Sequence, residues 1–476
     1  MEEELKFKYF LVMMVLFFIM GCSSNNKSSN QNEEMTSNSI ENNSNNLDLK
    51  VYKKTLNNGL KILVYEDHRL PIFSYYQFYD VGGRFESQGT TGATHFLEHM
   101  MFKGSKNYGP RSFDRIIEAA GGSNNAYTTF DNTVYYDVAP VKIFDQVLKL
   151  EADRMEHLVL DFDSFNKEKN VVFSERKMRY ENRPSGLLYL AAMKTIYKGT
   201  PYGGSVIGDV KDLNNLKKEN LLDFYKKFYT PDNSLIVIAG DVNHQNVFQK
   251  IEELFGKMKR SSQSTRKYKK EMNRDSRYKF SDSIPKEAHF HSTNQNPKFM
   301  LLYKGDKLGE KRSYALDILA MLGGQGDSSY LVKKLVLNKK PKFSQISISN
   351  SNKMSSGIFY FSGELMPHVS LKYAKKLLMR EVNKMCNIAI TDRAVQKTKN
   401  QILVDYYQSV KSNSGIARFL GNEEFYFGDF NYYKKELELY NSITTKDVKK
   451  TCNEFFSKQN KSLFVSVWNK NRMRLE

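Results

Sequence analysis

The 476-residue sequence predicts an α+β protein of two tandem homologous domains, each a mostly antiparallel sheet packed with helices. Three observations carry this. First, the halves end alike: the amphipathic stretch 216–229 closes on Phe228-Tyr229, and 443–456 closes on Phe455-Phe456, at a constant offset of 227 residues (443 − 216; 455 − 228). At that offset the apolar run Leu235-Ile236-Val237-Ile238 meets Ser462-Leu463-Phe464-Val465, a buried strand in each half. Second, both halves open on strands: Leu60 to Tyr65 and Phe73 to Tyr79 in the first, Phe299 to Tyr303 in the second, with a helix from Tyr314 to Leu322 after it. Third, a basic stretch poor in apolar residues, 257–279, with Arg266, Lys267, Lys269, Lys270 and Arg274, falls between them and reads as a solvated linker. Self-similarity at a fixed spacing is the mark of a tandem duplication.

In chain order, residues 1–22 come first. Lys6 and Lys8 precede the apolar run Tyr9 to Met20, which is short for a membrane span and reads as the core of a signal peptide. Ile19-Met20-Gly21-Cys22 resembles a bacterial lipoprotein box, in which Cys22 is lipidated after cleavage. Glu2, Glu3, Glu4 and Met20 depart from that pattern, and an uncleaved anchor is the alternative. Residues 23–48 are nearly all Ser, Asn and charge, a flexible tether. The chain is thus expected to be exported, lipid-anchored to a bacterial membrane, and facing the periplasm or cell exterior.

With 40% hydrophobic and 13% aromatic residues, 49–256 and 280–476 can each pack a core. Cys386 and Cys452 support no disulfide framework, and the sequence leaves open whether they pair. The formal charge of +19 does not predict a nucleic-acid partner, because the cations are spread along the chain and no nucleic-acid motif accompanies them.

The chemistry is concentrated in Thr94-His95-Phe96-Leu97-Glu98-His99-Met100-Met101-Phe102. On a helix, His95 and His99 project from one face, so two imidazole nitrogens can reach one zinc ion. Glu98 lies on that side, where its carboxylate can take a proton from water activated by the ion. The bland reading is a core helix with two incidental histidines. A hydrolytic zinc site usually takes three protein ligands, so a third must come from elsewhere. Glu168 and Glu175, seven residues apart on 168–177, share a helical face, although alone they read more readily as surface glutamates.

This HxxEH motif in its context, through Lys103-Gly104-Ser105, closely resembles the pitrilysin/insulinase family of zinc metallopeptidases, in particular its half-length, mitochondrial-processing-peptidase-like branch. The resemblance implies a pitrilysin-like metallohydrolase fold, one zinc ion per chain and endopeptidase activity on peptides or unfolded segments. It places the third ligand 76 residues after the second histidine, which here is Glu175 (175 − 99), with Glu168 as a supporting carboxylate of the site. It makes His95, His99 and Glu175 the metal ligands and Glu98 the general base. Asn125, Ala126 and Tyr127, after Gly121-Gly122, match the edge strand that holds the substrate backbone in relatives.

The resemblance also exposes a departure. Full members carry an Arg and, about seven residues later, a Tyr in the metal-free half, whereas Leu337 and Phe343 stand there. Neither can donate to an oxyanion, a loss that elsewhere costs on the order of 10²–10³ in rate. Either Lys339, Lys340 or Tyr330 substitutes, or the donors come from another chain. Half-length relatives form two-chain clamshells, which implies a heterodimer with a related chain lacking HxxEH, or a homodimer. The rival is a non-catalytic scaffold or peptide-holding subunit of the same fold, which has no need of His95, Glu98, His99 and Glu175 together.

Overall fold

The computed structural model describes residues 47–273, 284–291, 296–367, 369–457 and 462–468; the expected signal peptide, Cys22 and nearly all of the tether lie outside them. Among the described residues no helix is long and apolar enough to cross a membrane.

Two mixed, mainly antiparallel sheets organise the chain. The first holds β1 (Val51–Thr55), β2 (Lys61–Glu66), β3 (Ile72–Tyr79), β4 (Ser123–Thr128), β5 (Thr133–Pro140) and β6 (Ser234–Gly240), in the order β1-β2-β6-β3-β5-β4. The second holds β7 (Glu287–His291), β8 (Lys298–Gly305), β9 (Phe343–Asn352), β10 (Gly357–Leu365) and β11 (Ser462–Trp468), in the order β7-β11-β8-β10-β9. Apart from β1 the two orders are the same. Each also contains one parallel pair, β2 with β6 and β7 with β11. The duplication seen in the sequence is therefore a duplication of topology. Its matching end helices are Lys218–Phe228 and Thr445–Phe455, which start 227 residues apart (445 − 218).

Period-two alternation assigns the two faces of each sheet. On β3, Phe73, Tyr75 and Tyr79 join the core beneath the first half's own helices. Tyr76 and Phe78 face the other way and are covered by Ile416, Ala417 and Leu420 of the helix Asn413–Phe427, which comes from the second half. The second sheet mirrors this arrangement. Met300, Leu302, Ile358, Leu463 and Val465 pack against Leu188, Ala192, Met193 and Ile196 of the first-half helix Pro184–Ile196. Each half thus lends a helix to the other's sheet, burying both faces. That accounts for the near-continuous apolar character of β6, all seven residues of which are buried.

Polar contacts reinforce the exchange. Glu424, its side chain only 1% exposed, is neutralised by Lys53 at 2.7 Å and Lys61 at 3.0 Å. Lys353, at the turn between β9 and β10, stands over the rings of Phe130, Tyr197 and Tyr202 at 5.9, 5.0 and 5.2 Å.

Two expectations change here. The stretch read as a solvated linker contains a helix, Gln263–Met272, whose Met272 enters the first-half core and whose Tyr268 hydroxyl donates to the Phe85 carbonyl at 2.8 Å. Arg266, Lys267 and Lys270 are exposed, whereas Thr265, Tyr268 and Met272 face inward and Lys269 pairs with Asp80. Cys386 and Cys452, left open by the sequence, are joined in a disulfide within the second-half core, with Cα atoms 5.5 Å apart.

Candidate metal and catalytic site

The motif helix runs Ala93–Met100. No side chain caps it at Gly92. Instead the Glu86 carboxylate accepts from the backbone N–H groups of Gly92 and Thr94, both at 2.8 Å, satisfying donors that a helix start leaves open. Burial raises the Glu86 pKa to about 7, against the lowering effect of those N–H groups. Gly92 itself is required, because it sits at φ 91° and a Cβ there would come 2.3 Å from the Ile207 carbonyl oxygen. Phe96, Leu97 and Met100 are fully buried and anchor the helix, leaving His95, Glu98 and His99 on the cleft side.

The second ligand-bearing helix, Phe162–Arg176, is capped by Asp161, which accepts from the Ser164 N–H at 2.8 Å. Its Phe165 ring packs on Phe96 with centroids 4.8 Å apart, which fixes this helix against the motif helix. Glu175 lies near its C-terminal end, just before the wider turn Lys177–Glu181.

The two helices bring the candidate ligands together. Glu175 Oε2 lies 3.6 Å from His95 Nε2 and 3.2 Å from His99 Nε2. Two donors bound to one tetrahedral zinc ion at 2.0–2.2 Å stand about 3.3–3.6 Å apart, and both glutamate–histidine spacings lie within about 0.1 Å of that range. Glu175 Oε2 is moreover buried and takes no hydrogen bond, as a metal-facing oxygen should be. Among the described residues these three form the one His/Cys/Asp/Glu group able to hold a metal ion. His289 and His291 join no such group.

Glu168 occupies the supporting position. It accepts from His99 Nδ1 at 2.8 Å, and its other oxygen pairs with Lys103 at 2.6 Å. Burial works to raise its pKa, but His99 and Lys103 outweigh it and hold the carboxylate below its usual range. The same balance holds at Glu175, where the two imidazoles and Arg179, 2.7 Å away, overcome burial. Burial alone would lower the His99 pKa; Glu168 and Glu175 reverse that and lift it to about 9. The cluster is therefore an electronegative cage that favours a cation.

Glu98 is 8% exposed, and its Oε2 accepts from the hydroxyl of Thr128 on β4. That contact was not foreseen from the sequence, although Thr128 follows the Asn125-Ala126 pair by two residues and so shares a face with Ala126. Of the expected substrate residues, Asn125 is exposed and Ala126 lies on the motif-helix side. The Tyr127 ring lies on the face opposite Ala126, where it packs with Tyr76 and Tyr136, and so offers the motif-helix side only its backbone. β4 is an outer strand of its sheet, bonded on one side to β5.

A duplicated α+β scaffold that carries one HxxEH helix and a glutamate from a second helix defines a peptidase-fold protein with a candidate metal-binding triad. Residues 77–210 match the family model described as insulinase (peptidase family M16), and 215–402 match that of the peptidase M16 inactive domain. The chain is 30% identical to the zinc protease PqqE of Helicobacter pylori over 409 residues, covering 84% of this chain and 89% of that one. It belongs to the M16 peptidase family. It is 26% identical to a probable mitochondrial-processing peptidase subunit beta of Arabidopsis thaliana over 391 residues, 79% of this chain and 70% of that one. A solved structure described as a protease from Helicobacter pylori superposes with a TM-score of 0.79 at 27% identity, covering 88% of this chain and 99% of that one.

Proposed function

We propose that this protein is a zinc-dependent endopeptidase that cleaves peptides or unfolded polypeptide segments, exported and anchored through Cys22. The observation that carries the reading is the convergence of His95, His99 and Glu175 on one point, with Glu98 beside it. One zinc ion per chain in that cage would polarise the scissile carbonyl and acidify a water molecule. Glu98 is the carboxylate placed to accept a proton from water at this site and to hand it to the leaving amine. The substrate backbone lies along the open edge of β4, with Asn125 and Ala126 fixing its register by strand addition. Glu168 holds the His99 ring in place through Nδ1.

The chain works as one half of a clamshell with a related chain lacking HxxEH. Leu337 is 56% exposed and Phe343 fully buried, so neither offers a donor to a developing oxyanion. An enzyme of this kind is complete once a second chain supplies that donor. The Cys386–Cys452 disulfide supports export, because such bonds persist in oxidising compartments.

The test is cleavage of quenched peptides by the chain released from its anchor, alone and mixed with a related chain, for the native protein and Glu98→Gln. The variant should keep its zinc and lose cleavage. Metal content and cleavage both unchanged in Glu98→Gln would overturn the assignment.

A further inference from the structure

β4 meets the site in two ways at once. On its open side, the Ala126 N–H donates to the Asn125 side chain at 2.8 Å, so this donor lies on the free edge of β4, where an added strand would take it over from Asn125. On the face turned to the motif helix, the Thr128 hydroxyl donates to Glu98 Oε2. Among the described residues no donor reaches the other oxygen of Glu98, which is therefore the one left for water.

The donor is itself held firmly. Thr128 pairs with Thr133 at the last rung of the β4–β5 ladder. The turn after it is closed by the Thr129 hydroxyl, which accepts from the N–H groups of Asp131 and Asn132 at 3.0 and 2.9 Å. Thr133 is tied in turn to the Val81 carbonyl at 2.9 Å. The Thr128 backbone thus has little freedom, and its β-branched side chain presents the hydroxyl to Glu98 from a fixed position.

We propose that Thr128 is a positioning residue: it aims the Glu98 carboxylate and sets it at a fixed offset from a peptide backbone registered on the same strand at Ala126. The inference rests on the peptidase reading. A purely structural Thr128 would only satisfy a nearly buried carboxylate, and its loss would cost stability and metal along with rate. A positioning Thr128 acts on turnover alone, since a misplacement of about 1 Å can cost on the order of 10²-fold in rate.

The experiment compares native protein, Thr128→Val, Thr128→Ser and Glu98→Gln in the preparation that cleaves peptide. It measures kcat, KM, zinc per chain and the carboxylate infrared band that Glu98→Gln deletes. Thr128→Val, which keeps shape but loses the hydroxyl, should lower kcat by about 10–100-fold with KM and zinc unchanged, and should shift the Glu98 band. Thr128→Ser should restore both. Native kcat in Thr128→Val, or equal loss of zinc and rate in the Val and Ser variants, would overturn the inference while leaving the peptidase reading intact. Cleavage that survives Glu98→Gln would overturn that reading, and this inference with it.

Discussion

Replacing Glu168 with Gln should weaken zinc binding in a way that depends on pH. In the native chain the carboxylate accepts from His99 Nδ1 at 2.8 Å and pairs with Lys103 at 2.6 Å. Loss of such a supporting partner typically costs 10–100-fold in metal affinity, roughly 1.4–2.7 kcal/mol. A second effect opposes it. Without metal, His99 holds its proton up to about pH 9, and zinc must displace that proton. The native affinity should therefore rise about tenfold per pH unit from 7 to 9 and then level off. Glu168→Gln removes one of the groups that raise the His99 pKa, so its profile should be flatter and the gap to native widest at pH 9. The sign for the metal-free fold follows the same logic. The raised His99 pKa contributes stability that is fully present below its ordinary value of 6.5 and is lost as the pH rises through about 9. Zinc titration against a competing chelator across this range measures both slopes. Parallel profiles with equal affinity at pH 9 would refute the role given to Glu168.

Other perturbations test the scaffold. A Cβ on Gly421 would lie 2.1 Å from the Phe78 ring, so Gly421→Val should push the exchanged helix off the first sheet and destabilise by about 1–3 kcal/mol, read as a lower Tm. Reducing the Cys386–Cys452 disulfide, which closes a span of 66 residues, should cost up to about 4 kcal/mol on chain-entropy grounds. Thermal unfolding with and without reductant checks it, and an unchanged Tm would contradict the pairing. Gly92→Ala forces a side chain into a left-handed turn against the Ile207 carbonyl and should lower both Tm and zinc content, whereas native values of both would contradict the requirement for glycine there.

Much of this architecture was legible because a duplication repeats itself. The constant offset between Leu216 and Ile443 located equivalent helices and strands without any knowledge of their partners. The exchange of helices was not legible, since the apolar residues Leu188, Met193, Ile416 and Leu420 mark faces to be buried but not the sheet that buries them. The helix within the basic stretch left a signal, Thr265, Tyr268 and Met272 at helical spacing, which the surrounding lysines and arginines masked. At the site, the His95/His99 spacing was readable from the residues themselves, while the place of Glu175 came only from the family resemblance. Glu86, which caps the motif helix from the preceding loop, had no sequence cue. Strand alternation from Ala126 does place Thr128 toward Glu98 and Tyr127 away from it, so both could have been assigned by counting in twos along β4.

The most direct test of the central claim is anomalous diffraction at the zinc edge from crystals of the native chain. One zinc ion within about 2.2 Å of His95 Nε2, His99 Nε2 and a Glu175 oxygen is the expected result. A site that stays empty in zinc-supplemented crystals, or an ion held elsewhere without Glu175, would contradict it.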